Sequence, residues 1–179
     1  MGVGPVSRDE KKRQRDELIQ QAWQDHYYEL VSGEMTLAEI LQHSDEKLMA
    51  IADKGLRLFK LGKLDQARKL LSGLPMLDPY VPYFHLLLAG VHEKMKNFDD
   101  ALAEYGDTIA LCESMTPPGN LLSFALVSRA KLLTRLTDWS AAQADVGRLV
   151  SREVRMPDPR LHKEAQLIHD YVTERLAGS

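Results

Sequence analysis

Hydrophobic and polar positions repeat along residues 48–113 with a period of 34 residues. The stretch Leu-Phe-Lys-Leu-Gly-Lys-Leu-Asp-Gln-Ala at 58–67 returns as a stretch of similar pattern at 92–101, and Leu71 is matched by Tyr105. A fixed period of this length is typical of helical repeat proteins. The pattern therefore predicts helix pairs that stack on one another, because each pair buries only one face.

Residues 48–81 and 82–115 each match the tetratricopeptide pattern. Small residues such as Gly55 and Ala89 stand where two antiparallel helices must approach closely. Gly62 suits the left-handed conformation that ends a helix. We expect an all-α fold, a tetratricopeptide-repeat solenoid of three helix pairs.

The third repeat, residues 123–156, is displaced. Its core motif lies 41 residues after the second copy, seven more than the period. We place the extra residues at 115–120, since adjacent prolines and a glycine cannot continue a helix. Asn97 and Asp138 are expected to cap the helices that follow them.

The remaining residues divide into a disordered tail (1–8), an N-terminal helical segment (9–47) and a C-terminal capping helix (157–179). Helical spacing of apolar residues predicts one helix from about Asp9 that ends at Ser32-Gly33. The final helix carries one apolar stripe, as the closing helix of a solenoid should.

Two signals at the N-terminal segment concern its packing and its caps. Its aromatic residues Trp23, Tyr27 and Tyr28 either pack against the first repeat, which we expect, or form a self-association surface. Thr36 begins a Thr-x-x-Glu capping box, and Ser44 is expected to cap the first repeat helix. Asp158 and Pro159 are suited to begin the last helix.

Composition excludes several classes of function. The net charge is -3, which argues against binding nucleic acid through a basic field. No apolar run reaches the roughly 18 residues of a membrane span, so we expect no direct membrane insertion and a cytoplasmic location. The single cysteine, Cys112, cannot form an internal disulfide, in agreement with a reducing compartment.

The chain offers no recognisable catalytic, metal or cofactor site. His85 and His92 are seven residues apart, or roughly 10 Å along a helix, too far for two ligands of one zinc ion. We expect both to be interior histidines with satisfied hydrogen bonds, and Cys112 to pack at a helix end. The prediction is a protein that is not an enzyme, with no cofactor; the alternative is that the histidines form an unrecognised metal site.

The remaining candidate for a functional site is a binding surface on the repeats. In a tetratricopeptide solenoid the first helix of each pair lines the concave face, and fixed places in the repeat identify its residues. The candidate binding residues are Met49, Ala52, Leu56, Phe59 and Lys60 in the first repeat, Tyr83, Leu86, Gly90 and Glu93 in the second, and Phe124 and Val127 in the third.

These candidate residues predict an apolar groove. A repeat that clamps an acidic C-terminus presents Lys, Arg and Asn, whereas Leu56, Phe59 and Tyr83 favour a hydrophobic segment. The alternative is that the N-terminal helix covers these side chains.

The chain resembles the class II chaperones of bacterial type III secretion, which hold hydrophobic translocator proteins. Residues 30–38, Leu-Val-Ser-Gly-Glu-Met-Thr-Leu-Ala, are similar to that family's Leu-x-x-Gly-x-Thr segment with one extra residue before the threonine. Residues 62–67, Gly-Lys-Leu-Asp-Gln-Ala, are close to its Gly-Lys-Tyr-x-x-Ala, and the junction at 78–84 also agrees. The resemblance covers roughly residues 30–152.

This resemblance implies a cytoplasmic chaperone whose concave groove takes an extended segment near the N-terminus of a hydrophobic translocator. It also implies self-association of some members through their N-terminal helices, and hence a possible homodimer. The family's groove aromatics fall on Ala52, Leu56 and Phe59, so one large aromatic is absent here. The alternative hypothesis is a tetratricopeptide-repeat scaffold or adaptor in a multiprotein assembly.

Overall fold

The computed structural model describes residues 7–116, 121–151, 153–154, 156 and 158–178, and its regular elements are all helices. In chain order they are α1 (Arg8–Asp25), α2 (Tyr27–Ser32), α3 (Leu37–Ile40), α4 (Asp45–Lys60), α5 (Leu64–Leu71), α6 (Leu74–Leu77), α7 (Pro82–Lys94), α8 (Phe98–Ser114), α9 (Leu121–Arg135), α10 (Trp139–Val150) and α11 (Pro159–Ala177). Residues 1–6 of the predicted tail, and 117–120 of the predicted expanded loop, lie outside the described residues.

The helices α4 and α5, α7 and α8, and α9 and α10 pack as successive antiparallel pairs, and α11 packs on the last pair. One core cluster, around Leu48, Leu71 and Phe84, joins the first two pairs. A second cluster, which includes Leu126 and Leu149, joins the second pair to the third and to α11. The predicted all-α tetratricopeptide fold is confirmed. The short helix α6 was not predicted.

The first pair shows how a small residue permits close packing. Gly55 of α4 is buried against Leu71 of α5. A Cβ atom added at Gly55 would lie 2.3 Å from Leu71 Cδ2, far inside van der Waals contact. The side chain of Leu71 thus occupies the space that glycine leaves free.

The first helix of each pair ends in the same way. Gly62, Lys96 and Thr137 have positive φ angles of 72°, 65° and 63°. At each end the next residue donates its N–H to the carbonyl five residues earlier, for example Lys63 N to Leu58 O at 3.0 Å. This is the Schellman arrangement, which was predicted only for Gly62.

Most of the predicted caps are present. Thr36 and Glu39 form the reciprocal capping box, Ser44 caps α4, and Asp138 accepts a hydrogen bond from the backbone of α10. Asn97 stands at the N-cap position of α8, but the prediction that it caps the helix was wrong. Its side chain makes no cap hydrogen bond, and its Nδ2 instead lies 3.5 Å from Nδ1 of His92.

The N-terminal helix differs from the prediction in two ways. It is interrupted at His26, whose φ and ψ of -123° and 29° separate α1 from α2. The backbone hydrogen bonds keep the i to i−4 spacing of a helix on both sides of His26. The chain therefore stays close to helical there, and the spacing of apolar residues did not reveal the break. The expectation that the aromatic residues pack into the first repeat is also wrong: Trp23 is 46% exposed and Tyr28 is 83% exposed.

These side chains are exposed because α1 makes its principal contacts with α2 and not with the repeats. Ala22 is the buried residue of α1. Within the described residues, no helix is both long and apolar enough to cross a bilayer.

Candidate functional site

A cavity of about 430 Å³ opens between the first helices of the three pairs, α4, α7 and α9. Helices α5 and α8 contribute one lining residue each. We call this cavity the groove. It is lined by Leu56, Phe59, Leu71, Tyr83, Leu86, Leu87, Gly90, Glu93, Lys94, Tyr105, Leu121, Phe124 and Ser128.

Seven of the eleven candidate residues predicted from sequence line the groove. They are Leu56, Phe59, Tyr83, Leu86, Gly90, Glu93 and Phe124. The repeat pattern therefore identified a set of residues that the fold brings together in space. Whether they bind a client stays a prediction.

Two candidate residues are corrected by the structure. Ala52 is completely buried and Val127 is 1% exposed, so neither can contact a bound molecule. Ala52 belongs to the core cluster of the first two pairs, and Val127 to the cluster of the last two. Met49 and Lys60 are exposed on α4 but are not among the residues that line the groove.

Sequence reasoning missed the groove residues that come from other places in the repeat. Leu71 and Tyr105 lie on the second helices, while Leu87, Leu121 and Ser128 occupy other positions on the first helices. The match between Leu71 and Tyr105 across the period was visible in the sequence. That match did not show that either side chain borders the groove.

A hydrogen-bonded group fixes one end of the groove. Glu93 accepts hydrogen bonds from the Tyr105 hydroxyl at 2.9 Å and from Arg135 Nη1 at 2.8 Å. Arg135 also lies over the Phe98 ring, 5.3 Å from its centroid. Burial, followed by the charge of Glu93, raises the pKa of Tyr105, so its phenol remains a donor. The Glu93 carboxylate is therefore engaged within the protein.

The middle of the groove is open and apolar. A Cβ atom at Gly90 would meet Phe59 Cζ at 3.9 Å, an ordinary contact distance, so glycine there widens the space between α7 and α4. Phe124 on α9 is 51% exposed and forms part of the opposite wall. Lys94 is exposed and lies at the same end as Glu93.

The N-terminal helix does not line the groove. No residue of α1 or α2 is among those that surround the cavity. The alternative in which this helix covers the apolar side chains is thus not the arrangement seen in the described part of the chain.

The histidine expectation holds for His85. This residue is 8% exposed, its Nδ1 lies 2.8 Å from Glu104 Oε2, and its Nε2 lies 3.1 Å from the carbonyl oxygen of Pro79. His92 is partly buried and its Nδ1 lies 3.4 Å from Asp100 Oδ2. Cys112 is buried in the core, where burial and then the charge of Glu113 raise the pKa of its thiol.

Comparison with known proteins gives a result from structure and none from sequence. No protein-family model matches the chain. No curated protein sequence matches it either.

Among solved structures, a T3SS complex from Aeromonas hydrophila aligns with a TM-score of 0.71 at 19% identity, over 83% of this chain and 95% of that one. The type III secretion chaperone SycD of Yersinia enterocolitica, in complex with a peptide of the translocator YopD, aligns with a TM-score of 0.63 at 17% identity. That alignment covers 74% of this chain and 96% of SycD. Another solved structure of SycD shows an alternative dimer of that chaperone.

A further match is the first tetratricopeptide domain of Spaghetti (RPAP3) bound to the HSP90 peptide SRMEEVD. Its TM-score is 0.61 at 23% identity, and the alignment covers 75% of this chain and 96% of that one. All of these similarities are in fold. The chain therefore has the tetratricopeptide-repeat fold that the secretion chaperone SycD and the RPAP3 domain share.

Proposed function

We propose that this protein is a non-enzymatic, cytoplasmic chaperone of type III secretion that binds an extended hydrophobic segment of a translocator in the groove. Binding would keep the client soluble before export. The observation that carries the proposal is the apolar groove between α4, α7 and α9, in a fold shared with a chaperone solved with a translocator peptide.

The groove has the size and chemistry for apolar side chains of a peptide. Its volume of about 430 Å³ lies within the range of ligand pockets. Each aliphatic side chain transferred from water into it would contribute about 1.5–3 kcal/mol. Micromolar binding needs roughly 8 kcal/mol after the cost of association, so several anchors along one extended segment are required.

The walls of the groove favour this ligand over an acidic peptide. The HSP90 peptide bound by the RPAP3 domain carries three acidic side chains in seven residues. Here the walls are Leu56, Tyr83 and Phe124, and Arg135 is already paired with Glu93. An acidic peptide would lose hydration at the apolar walls, and among the lining residues only Lys94 is a cation that could pair with its three acidic side chains.

The test is co-expression with a hydrophobic translocator encoded in the same genome. Leu56→Glu/Phe124→Glu places two charges in the groove, and Phe124 is exposed enough that its replacement should leave the fold intact. A matched control is Leu61→Glu/Met76→Glu, since both residues are exposed apolar side chains that do not line the groove.

We expect wild type and the control to keep the translocator soluble and to co-purify with it, and the groove variant to lose both effects. Circular dichroism of each purified variant verifies the fold. Retention of the client by a folded groove variant would refute the proposed site. Failure of the wild type to bind or solubilise any such translocator would refute the function.

The alternative is a scaffold or adaptor, and an aromatic surface away from the groove favours it. Trp139 and Tyr171 stack edge to face with 5.8 Å between ring centroids, and Arg175 lies over both rings. Tyr171 and the nearby Leu167 are exposed. If soluble partners survive the groove substitutions but are lost with Leu167→Glu/Tyr171→Ala, the scaffold function would be supported.

We further propose a homodimer formed through the N-terminal helices. Five large apolar side chains there are exposed: Leu18, Trp23, Tyr27, Tyr28 and Val31. Burial of such a surface against a second copy would remove it from water. Light scattering after size-exclusion chromatography should give a dimer mass for wild type and a monomer mass for Trp23→Ala/Tyr28→Ala. A monomeric wild type at micromolar concentration would contradict this proposal.

A further inference from the structure

The second helix pair holds a cluster of potential metal ligands outside the groove. His85 lies in the first turns of α7, and Glu104 and Asp107 lie three residues apart on α8. The ligand atoms of these three side chains all lie within 4.8 Å of one another. Because α7 and α8 are antiparallel, residues 19 and 22 positions apart in sequence meet across the pair.

We propose that His85, Glu104 and Asp107 form a binding site for a transition-metal ion of the Zn²⁺ type. The ligand atoms would be Nδ1 of His85 and one carboxylate oxygen from each acidic residue. Two carboxylates and a neutral imidazole balance the charge of a divalent cation. Water would complete a four-coordinate shell, as at zinc sites with three protein ligands.

The donor distances are close to those that zinc requires. Zinc–ligand distances of about 2.0–2.2 Å place tetrahedral donors about 3.4 Å apart. His85 Nδ1 is 2.8 Å from Glu104 Oε2 and 3.8 Å from Asp107 Oδ2. The two carboxylate oxygens lie within 4.8 Å of each other, so their side chains must rotate to bring all three donors into place, and Asp107 has room to move because its side chain is 63% exposed.

The outer contacts of His85 also suit a metal ligand. A metal-binding histidine commonly donates its second ring N–H to a carboxylate or backbone carbonyl, which fixes the tautomer. Nε2 of His85 lies 3.1 Å from the carbonyl oxygen of Pro79. With Nε2–H donating to that carbonyl, Nδ1 is the ring atom that can bind the metal once it has lost its own proton.

A proton competes with the metal ion for Nδ1 of His85. Burial lowers the pKa of His85, but the hydrogen bonds to Glu104 and Pro79 and the nearby negative charges outweigh it and raise the pKa overall. Metal binding would replace the proton between Nδ1 and Glu104. The mixed set of imidazole and carboxylate ligands favours Zn²⁺ over Mg²⁺ or Ca²⁺, which prefer oxygen ligands alone.

The experiment is calorimetric titration of the full chain with Zn²⁺ at pH 8, after removal of any affinity tag and treatment with a chelator. Asp107→Asn and Glu104→Gln/Asp107→Asn test the site. Asp100→Asn is the matched control, because its side chain is also 63% exposed and lies on the same helix beside Nδ1 of His92. Mg²⁺ serves as the comparison ion.

We expect one Zn²⁺ per chain for wild type and for Asp100→Asn. Affinity should fall by about tenfold or more in Asp107→Asn and be lost in the double variant. Zn²⁺ should also raise the thermal midpoint of wild type and of the control, because it binds the folded state. Mg²⁺ should do neither.

Three outcomes would overturn the proposal. They are a wild type without saturable binding at one ion per chain, a folded double variant that still binds Zn²⁺, and equal weakening by Asp100→Asn and Asp107→Asn. The last two would assign binding to other histidines on the surface. None of these outcomes depends on the groove or its client.

Discussion

The ends of α7 and α9 hold non-glycine residues in a conformation that suits glycine. Lys96 and Thr137 have φ angles of 65° and 63°, while the equivalent Gly62 has 72°. All three close the helix with the same backbone hydrogen bonds. We predict that Lys96→Gly and Thr137→Gly stabilise the protein and that Gly62→Lys destabilises it.

The magnitude follows from two opposing terms. The left-handed conformation costs a non-glycine residue about 1–2 kcal/mol. Glycine loses about 0.5–1 kcal/mol more entropy on folding than other residues. The net gain should be about 0.5–1 kcal/mol for Lys96→Gly, and somewhat more for Thr137→Gly because threonine is β-branched.

Side-chain contacts do not complicate this comparison. Lys96 and Thr137 are exposed, so truncation removes little packing. A Cβ atom at Gly62 would meet no other heavy atom within 4 Å. Gly62→Lys therefore adds no steric clash, and we expect it to cost about 0.5–1 kcal/mol, the reverse of the gain from Lys96→Gly.

Urea and thermal unfolding give the measurement. For a chain of this size, 1 kcal/mol corresponds to a change of about 2–4 °C in Tm. The urea midpoint should move while its m-value stays constant. Lys54→Gly is the matched control, because Lys54 is exposed within α4 and its replacement should cost about 1 kcal/mol.

The reasoning would be refuted if Lys96→Gly lowered the free energy of unfolding as much as Lys54→Gly does. Such a result would mean that the left-handed conformation carries no cost at these helix ends.

Two further predictions concern buried contacts. Gly55→Ala should destabilise the protein by up to about 2 kcal/mol, because the new Cβ would lie 2.3 Å from Leu71 Cδ2. Gly147→Ala should stabilise α10 by up to about 1 kcal/mol, because a Cβ atom there meets open space. Equal effects of the two substitutions on urea unfolding would contradict this prediction. Arg129→Met should cost about 3 kcal/mol, because it leaves Asp145, whose side chain is 5% exposed, without the partner that donates to it at 2.6 and 2.7 Å. An unchanged urea midpoint would show that this ion pair is not a net contributor.

Local signals in the sequence predicted much of the fold. The capping box at Thr36, the glycine end at Gly62 and the cap at Asp158 depend on residues within five positions of one another. The 34-residue period predicted helix pairs because the same contacts recur in each repeat. Such signals need no knowledge of distant residues.

The N-terminal segment shows where local signals stop. Its apolar spacing predicted a helix, but not the interruption at His26 nor the exposure of Trp23 and Tyr28. The face that a helix buries depends on which neighbour it meets. In the described chain α1 packs mainly on α2, so its aromatic side chains remain outside the core.

The sequence by itself determined the repeat, several of its helix ends and seven of the residues that line the groove, because these follow from short-range periodicity and capping. Only the tertiary structure decided that Ala52 and Val127 are core residues, that Tyr105 donates to Glu93, and that His85 meets two carboxylates. Those results depend on how closely and at what angle successive helices pack. The packing of neighbouring helices decides whether a side chain at the margin of a helix face is buried in the core or borders the groove. The sequence of one helix does not specify that packing.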